Sequence, residues 1–175
     1  MGLALILDCL GRFRTAERYF DFVENVLEHA SGELDNAYFY HIRGYHEDCL
    51  CNWREAHGFY SRAYKIYNKI GALKLWGSAM CLDIEMMLRC KKSEHCLDMA
   101  REVKNLGREA GDLQLYSWGL CCEGMSLLYI ENAHEAQSLI KESVSKLMAV
   151  PDYYVLLSAY SHLIDAELQL GNLED

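Results

Sequence analysis

The chain has 175 residues, of which 51% are hydrophobic and 25% charged, and its formal net charge is −9. Its length sets one domain as the expectation, and its apolar fraction excludes a disordered chain. The acidic balance, with no basic stripe, argues against a nucleic-acid partner, and no run approaches the ~20 apolar residues of a membrane span.

In chain order the sequence predicts helices only, since it has a single proline and no strand-like alternation. The opening stretch, MGLALILDCLGRF, has a short apolar run broken by Asp8 and lacks a basic leader, which predicts no signal peptide. Ile6 stands where a myristoylation motif needs Ser or Thr, which predicts no lipidation. First helices are expected to start near Leu34, Leu73, Leu113 and Tyr153 and to run to turns near Cys51, Lys91, Glu131 and Gly171. Second helices are expected over about 15–30, 54–70, 94–110 and 134–150. Gly71 and Gly111 stop second helices as residues just past a helix end. Pro151 does so by lacking an amide donor. Ser93 is an expected N-cap, with Glu94 in the first turn.

These elements recur. Ala16, Ala56, Cys96 and Ala136 are 40 residues apart, as are Phe20, Tyr60, Ala100 and Ile140, and Val23, Ala63, Val103 and Ser143. Leu10, Leu50, Cys90, Ile130 and Leu170 carry the period into a fifth, partial copy. A fixed period of this length marks a stacked repeat protein. The offsets within a copy put these residues on one helical face, where small side chains let helices cross closely. The units fall at about 1–31, 32–71, 72–111, 112–151 and a partial 152–175 within one domain, residues 1–175.

The second copy, with Gly44, Ala56, Tyr60 and Ala63, resembles the tetratricopeptide repeat family, as do Gly124 and Ala136 in the fourth copy and Gly11, Ala16 and Phe20 in the first. The third copy departs most, with Ile84 in place of the glycine and Cys96, Ala100 and Val103 for the rest. The resemblance implies an all-α, right-handed superhelical solenoid of antiparallel helix pairs, about nine helices in all. The 40-residue period is a variant of the family's unit. It is similar in texture to the helical C-terminal regions of soluble-type adenylyl cyclases and to the arms of signalling ATPases.

The resemblance also implies a concave groove lined by first helices. The positions it assigns are Tyr38, His41, Tyr45 and Asp48, then Ser78, Cys81, Glu85 and Leu88, then Trp118, Cys121, Met125 and Leu128, then Ser158, Ser161, Asp165 and Leu168. Leu88, Leu128 and Leu168 are expected to pack between repeats. The Lys and Asn residues of a carboxylate clamp are missing, so an apolar or weakly basic helix or peptide is the expected partner, with no membrane or nucleic acid. Neither end shows a polar cap, so either the chain is a segment of a longer solenoid or its open ends, with Leu168, Leu170 and Leu173, are covered by partners.

No catalytic residues, cofactor or metal are expected. There is no phosphate loop, dinucleotide turn or nucleophile elbow. His41, His46, Cys49, Cys51 and His57 have zinc-type chemistry but the wrong spacing, and read as a helix end with packed cysteines and surface histidines. Cys96 beside His95 sits at the small packing position, so its thiol is expected to be buried and inert. Of Cys121 and Cys122, one is expected to pack and the other to approach the inner surface. The carboxylates read as a solvated surface, as do Lys91, Lys92, Arg101, Lys104 and Arg108 among their acids. Eight cysteines placed as small hydrophobes predict free thiols in a reducing compartment, the cytoplasm or a space continuous with it such as a cilium. The function expected is a non-catalytic protein-interaction scaffold, alone or stacked within a larger complex. The alternative is the regulatory helical arm of a larger signalling enzyme.

Overall fold

The structure, a computed structural model, describes residues 2–30, 32–150 and 152–172, leaving aside the side chains of residues 28–30. The described residues form nine helices: α1 (Gly2–Cys9), α2 (Phe13–Ala30), α3 (Glu33–Cys49), α4 (Trp53–Lys69), α5 (Leu73–Arg89), α6 (Cys96–Ala110), α7 (Leu113–Tyr129), α8 (Ala133–Leu147) and α9 (Tyr153–Leu170). The all-α helical-repeat class expected from the sequence is the class found. Two compact units divide the chain, Met1–Cys90 with α1 to α5 and Lys91–Asp175 with α6 to α9.

One backbone device sets the helix length. Gly11, Cys51, Gly71, Lys91, Gly111, Glu131 and Gly171 all have φ between 58° and 72°, the left-handed conformation. At six of these positions the two amides that follow the helix fold back on its last turn. The Glu131 and Asn132 amides, for example, donate to the carbonyls of Leu128 (3.2 Å) and Leu127 (3.0 Å). This closure satisfies carbonyls that a helix end otherwise leaves open. Around Cys51 and Gly171 the side chains repeat the link, since Asn52 donates to Glu47 and Asn172 to Glu167, each at 2.9 Å.

Three local expectations are corrected. Gly11 is a helix-closing residue, not the counterpart of Gly44; that phase falls on buried Ala4. Ser93 does not cap α6, which starts at Cys96 after His95 with no side-chain cap; Ser93 and Glu94 belong to the preceding turn, and the first-turn acid is Asp98. The second helix of the fourth copy ends at Leu147 rather than near 150, and Pro151 and Ser31 lie outside the described residues.

The small residues do mark close packing. Ala16, Ala56, Cys96 and Ala136 are all fully buried. A Cβ on Gly44 would stand 2.7 Å from the Tyr60 ring, and one on Gly124 2.5 Å from Ile140 Cγ1, so each first-helix glycine is the seat of a large side chain from the next helix. In unit 2, α6 and α7 touch backbone to backbone. A Cβ on Gly119 would lie 2.5 Å from the Lys104 amide nitrogen and 2.6 Å from its Cα. Of the cysteines, Cys81, Cys96, Cys121 and Cys122 are buried and none is disulfide-bonded, so both members of the vicinal pair pack inside.

Two opposite stability changes follow. Gly119→Ala forces two backbones apart and should cost at least about 2 kcal/mol. Glu131→Gly removes a strained side chain and should stabilise by up to about 1 kcal/mol, the left-handed penalty less the entropy of an added glycine. Urea unfolding of both variants checks the pair, and a Glu131→Gly midpoint below wild type would contradict the strain.

Candidate functional site

The spacing of Tyr38, His41, Tyr45 and Asp48 puts them on one side of α3. The structure leaves Tyr38 exposed and the other three half-buried. His41 meets the edges of Tyr60 on α4 and Tyr67 on α4, each 5.9 Å away between ring centroids. Its Nδ1 is buried with no hydrogen-bond partner, and so is the Tyr67 hydroxyl oxygen. Buried polar atoms nearly always find a partner, which sets these two atoms apart within unit 1. Burial lowers the His41 pKa to about 4, which keeps the ring neutral at physiological pH. Burial, with Tyr38 nearby, raises that of the Tyr67 phenol.

Below them, the Tyr45 hydroxyl lies 4.0 Å from Cys9 Sγ. Burial, then Cys49 and Cys9, raises the Tyr45 pKa, and burial, then Asp8, pushes the Cys49 thiol up to about 11. A thiol held that high is not a nucleophile at neutral pH. Asp48 is raised by burial against the pull of Arg89.

The remaining groove positions divide. On α5, Ser78 is half-buried and returns its hydroxyl to the Lys74 carbonyl (3.0 Å), while Cys81, Glu85 and Leu88 are buried. On α7, Trp118, Cys121, Met125 and Leu128 are all buried. These seven side chains are therefore interior, not an open lining. The physical cause is clearest in α7, LQLYSWGLCCEGMSLLY, since a helix apolar on nearly every side is a buried helix; α5, LKLWGSAMCLDIEMMLR, is apolar over most of its length. On α9, Ser161, Asp165 and Leu168 are exposed and Ser158 and Leu170 half-buried; Asp165 contacts His162 at 3.2 Å. Leu173 lies outside the described residues.

Sequence reasoning missed a buried charge cluster in unit 1. His46 is not a surface histidine but fully buried, with Nδ1 2.7 Å from Asp8 Oδ1 and Nε2 2.8 Å from Glu17 Oε2. Both ring nitrogens are thus within hydrogen-bond distance of a carboxyl group. Arg43 donates to both oxygens of Glu17 at 2.7 and 3.0 Å and reaches Glu47 at 3.0 Å. Burial raises the Glu17 pKa, but Arg43 and His46 outweigh it and hold the carboxyl below its usual range. Donor atoms of Glu17, His46 and Glu47 lie within 4.8 Å of one another, a spacing that could hold a cation, but Arg43 already supplies the counter-charge there. A depression of about 440 Å³ lined by Phe13, Arg14, Glu17, Arg18, His46 and Leu50 opens beside the cluster. The signal was available: 40 and 80 residues beyond His46 stand Met86 and Ser126, both buried.

Arg43 also belongs to a series. The same phase holds Asp83 on α5 and Glu123 on α7, both buried. Asp83 accepts from His57 of α4 at 2.6 Å, and Glu123 pairs with Arg101 of α6 at 2.9 Å and with Lys104. Each of these first helices thus meets the preceding second helix through a different polar pair. The carboxylates Asp8, Glu47, Asp83, Glu85 and Glu123 are not a solvated surface, and Arg101 and Lys104 pair across helices rather than along one.

No family model matches the sequence, and no curated protein matches it. Solved structures do match. The apo form of RapI is 12% identical with a TM-score of 0.81, over 97% of this chain and 62% of that one. BtubC (BKLC) from P. vanneervenii is 15% identical with a TM-score of 0.75, over 97% and 71%. A signal transduction ATPase with numerous domains from Pyrococcus horikoshii, described as having a tetratricopeptide repeat sensor, is 19% identical with a TM-score of 0.71, over 97% and 26%. The chain thus spans about three fifths of RapI and a quarter of the ATPase. These likenesses establish a tetratricopeptide-like helical-repeat fold. Among the described residues no helix is long and apolar enough to cross a membrane.

The neutral burial of His41 has a pH consequence. Its folded pKa lies below the ordinary value of 6.5, so the unfolded chain binds more protons between pH 6.5 and about 4. Stability from this site is complete above 6.5 and falls as pH drops toward 4, by about 1.4 kcal/mol for each tenfold difference in proton affinity between the folded and unfolded chain. Urea titrations of wild type and His41→Phe across this window should show a shallower acid loss in the variant; equal slopes would refute it.

Proposed function

We propose that the chain is a non-catalytic protein-interaction scaffold whose unit 1 binds an apolar or weakly basic helix or peptide at Tyr38, His41, Tyr45 and Asp48. The observation that carries this reading is an aromatic patch in unit 1: exposed Tyr38 stands one helical turn from half-buried His41, whose ring meets the edges of Tyr60 and Tyr67. Tyrosine and histidine edges give the apolar area of an interface centre. Half-buried Asp48, one turn below Tyr45, favours a positively charged group on the ligand. The cysteines, none in a disulfide, support action in a reducing compartment such as the cytoplasm.

A second reading, the regulatory helical arm of a larger signalling enzyme, draws support from the likeness to the repeat sensor of the Pyrococcus ATPase. A cyclase or nucleotide-binding domain in the same reading frame would decide for it.

Selection of a helical peptide ligand from a display library, followed by calorimetry, tests the first reading. Tyr38→Ala and His41→Phe should each weaken the selected peptide by about tenfold or more, while Glu55→Ala, an exposed α4 control, leaves it unchanged. A ligand indifferent to both variants would place binding elsewhere.

A further inference from the structure

Arg14 and Arg18 stand one helical turn apart on α2. Both are exposed, and neither pairs with a carboxylate among the described residues. Their exposure belongs to the repeat itself. The same two phases hold Arg54 and Gly58, then Glu94 and Asp98, then His134 and Ser138, and all of these are exposed. Of the four copies, only the first carries an arginine at both positions.

With Phe13, Glu17, His46 and Leu50, the two arginines line the depression of about 440 Å³ in unit 1. Ligand pockets commonly run from about 300 to about 1,000 Å³. Half-buried Phe13 and partly exposed Leu50 give it an apolar wall. The His46 ring is held in place by Asp8 at 2.7 Å and Glu17 at 2.8 Å, and it meets Phe13 edge-on with 6.4 Å between ring centroids. A wall fixed in this way needs little ordering when a ligand arrives.

Glu17 is the one acid of the lining, and both its oxygens are taken. Arg43 donates to each, and His46 Nε2 lies against Oε2. Asp8 and Glu47 are buried and engaged by His46 and Arg43. Asp21, the next acid along α2, is exposed and pairs with neither Arg14 nor Arg18. Two guanidinium forks are therefore free beside an apolar seat, and such forks match carboxylates through paired donors. Since both arginines are exposed, a peptide chain has room to cross the rim while one of its side chains enters.

We infer that this depression docks an acidic peptide segment of a partner protein. One large apolar side chain of the segment sits against Phe13 and Leu50, and carboxylates on either side of it pair with Arg14 and Arg18. None of these residues belongs to the Tyr38 site, so either site can fail without the other.

Calorimetry of the full chain with blocked synthetic peptides tests it. The peptide Asp-Glu-Phe-Glu-Asp should bind at least about tenfold more tightly than its amide counterpart Asn-Gln-Phe-Gln-Asn or than Asp-Glu-Ala-Glu-Asp. Its affinity should fall as salt rises from about 0.05 to about 0.5 M. Arg14→Gln and Arg18→Gln change exposed, unpaired side chains and so keep the fold; each should weaken this peptide about fivefold or more. Arg54→Gln, at the equivalent place in the next copy, should leave it unchanged. Absence of binding up to about 1 mM overturns the inference. So does equal weakening by Arg54→Gln, which is general charge attraction, and so does an alanine peptide that binds as well as the phenylalanine one. Free phenylpropionate binding as tightly as the peptide would make the occupant a small carboxylate and overturn the peptide.

Discussion

A helix that buries one side needs a neighbour of matching length, and in this chain the length is enforced by single residues in the left-handed conformation. Gly71, Lys91, Gly111 and Glu131 follow one another at 20-residue intervals. Each stands just past a helix end and turns the chain out of the helical path, so successive helices are cut to nearly one size. Constant helix length makes residues 40 apart equivalent. Equivalence lets one alanine or cysteine per copy serve every crossing, and it lets Gly44 and Gly124 each seat a large side chain from the next helix. The glycine members of the series adopt this conformation at little cost, while Cys51, Lys91 and Glu131 hold it under strain.

Most of this was legible in the sequence because it depends on size and period. Ala56, Tyr60 and Ala63 announce a crossing, and Gly71 and Gly111 announce a stop. What the sequence concealed depends on what lies opposite a residue. His46 looks like a surface histidine beside two cysteines until Asp8 and Glu17, 38 and 29 residues away, are seen on either side of it. Glu123 looks like one acid among many, yet its partners Arg101 and Lys104 stand on another helix. The family pattern also assigned Trp118, Cys121 and Met125 to an open groove. The composition of α7, apolar on nearly every side, overrode that assignment.

The candidate site in unit 1 and the stripe on α9 are different kinds of surface. At His41 and Tyr67 the deficit is polar and local: two atoms lack hydrogen bonds, behind one exposed tyrosine. Along α9 the feature is apolar and periodic: Leu157, Tyr160, Ile164 and Leu168 are all exposed at spacings of three and four. The first suits recognition, where a few placed groups discriminate among ligands.

The ion pairs between helices bear on how such a gene can change. A repeat array invites recombination between its copies, since an exchange in phase preserves every helix length and every small residue. Here that exchange is not silent. Placing the Asp83-bearing helix behind the Glu17-bearing one would set two carboxylates together. Placing the Arg43-bearing helix behind α6 would set it against Arg101 and Lys104. Copies that are interchangeable in shape are thus distinguishable in charge, and their order along the chain is protected against shuffling by the repulsion of like charges set face to face.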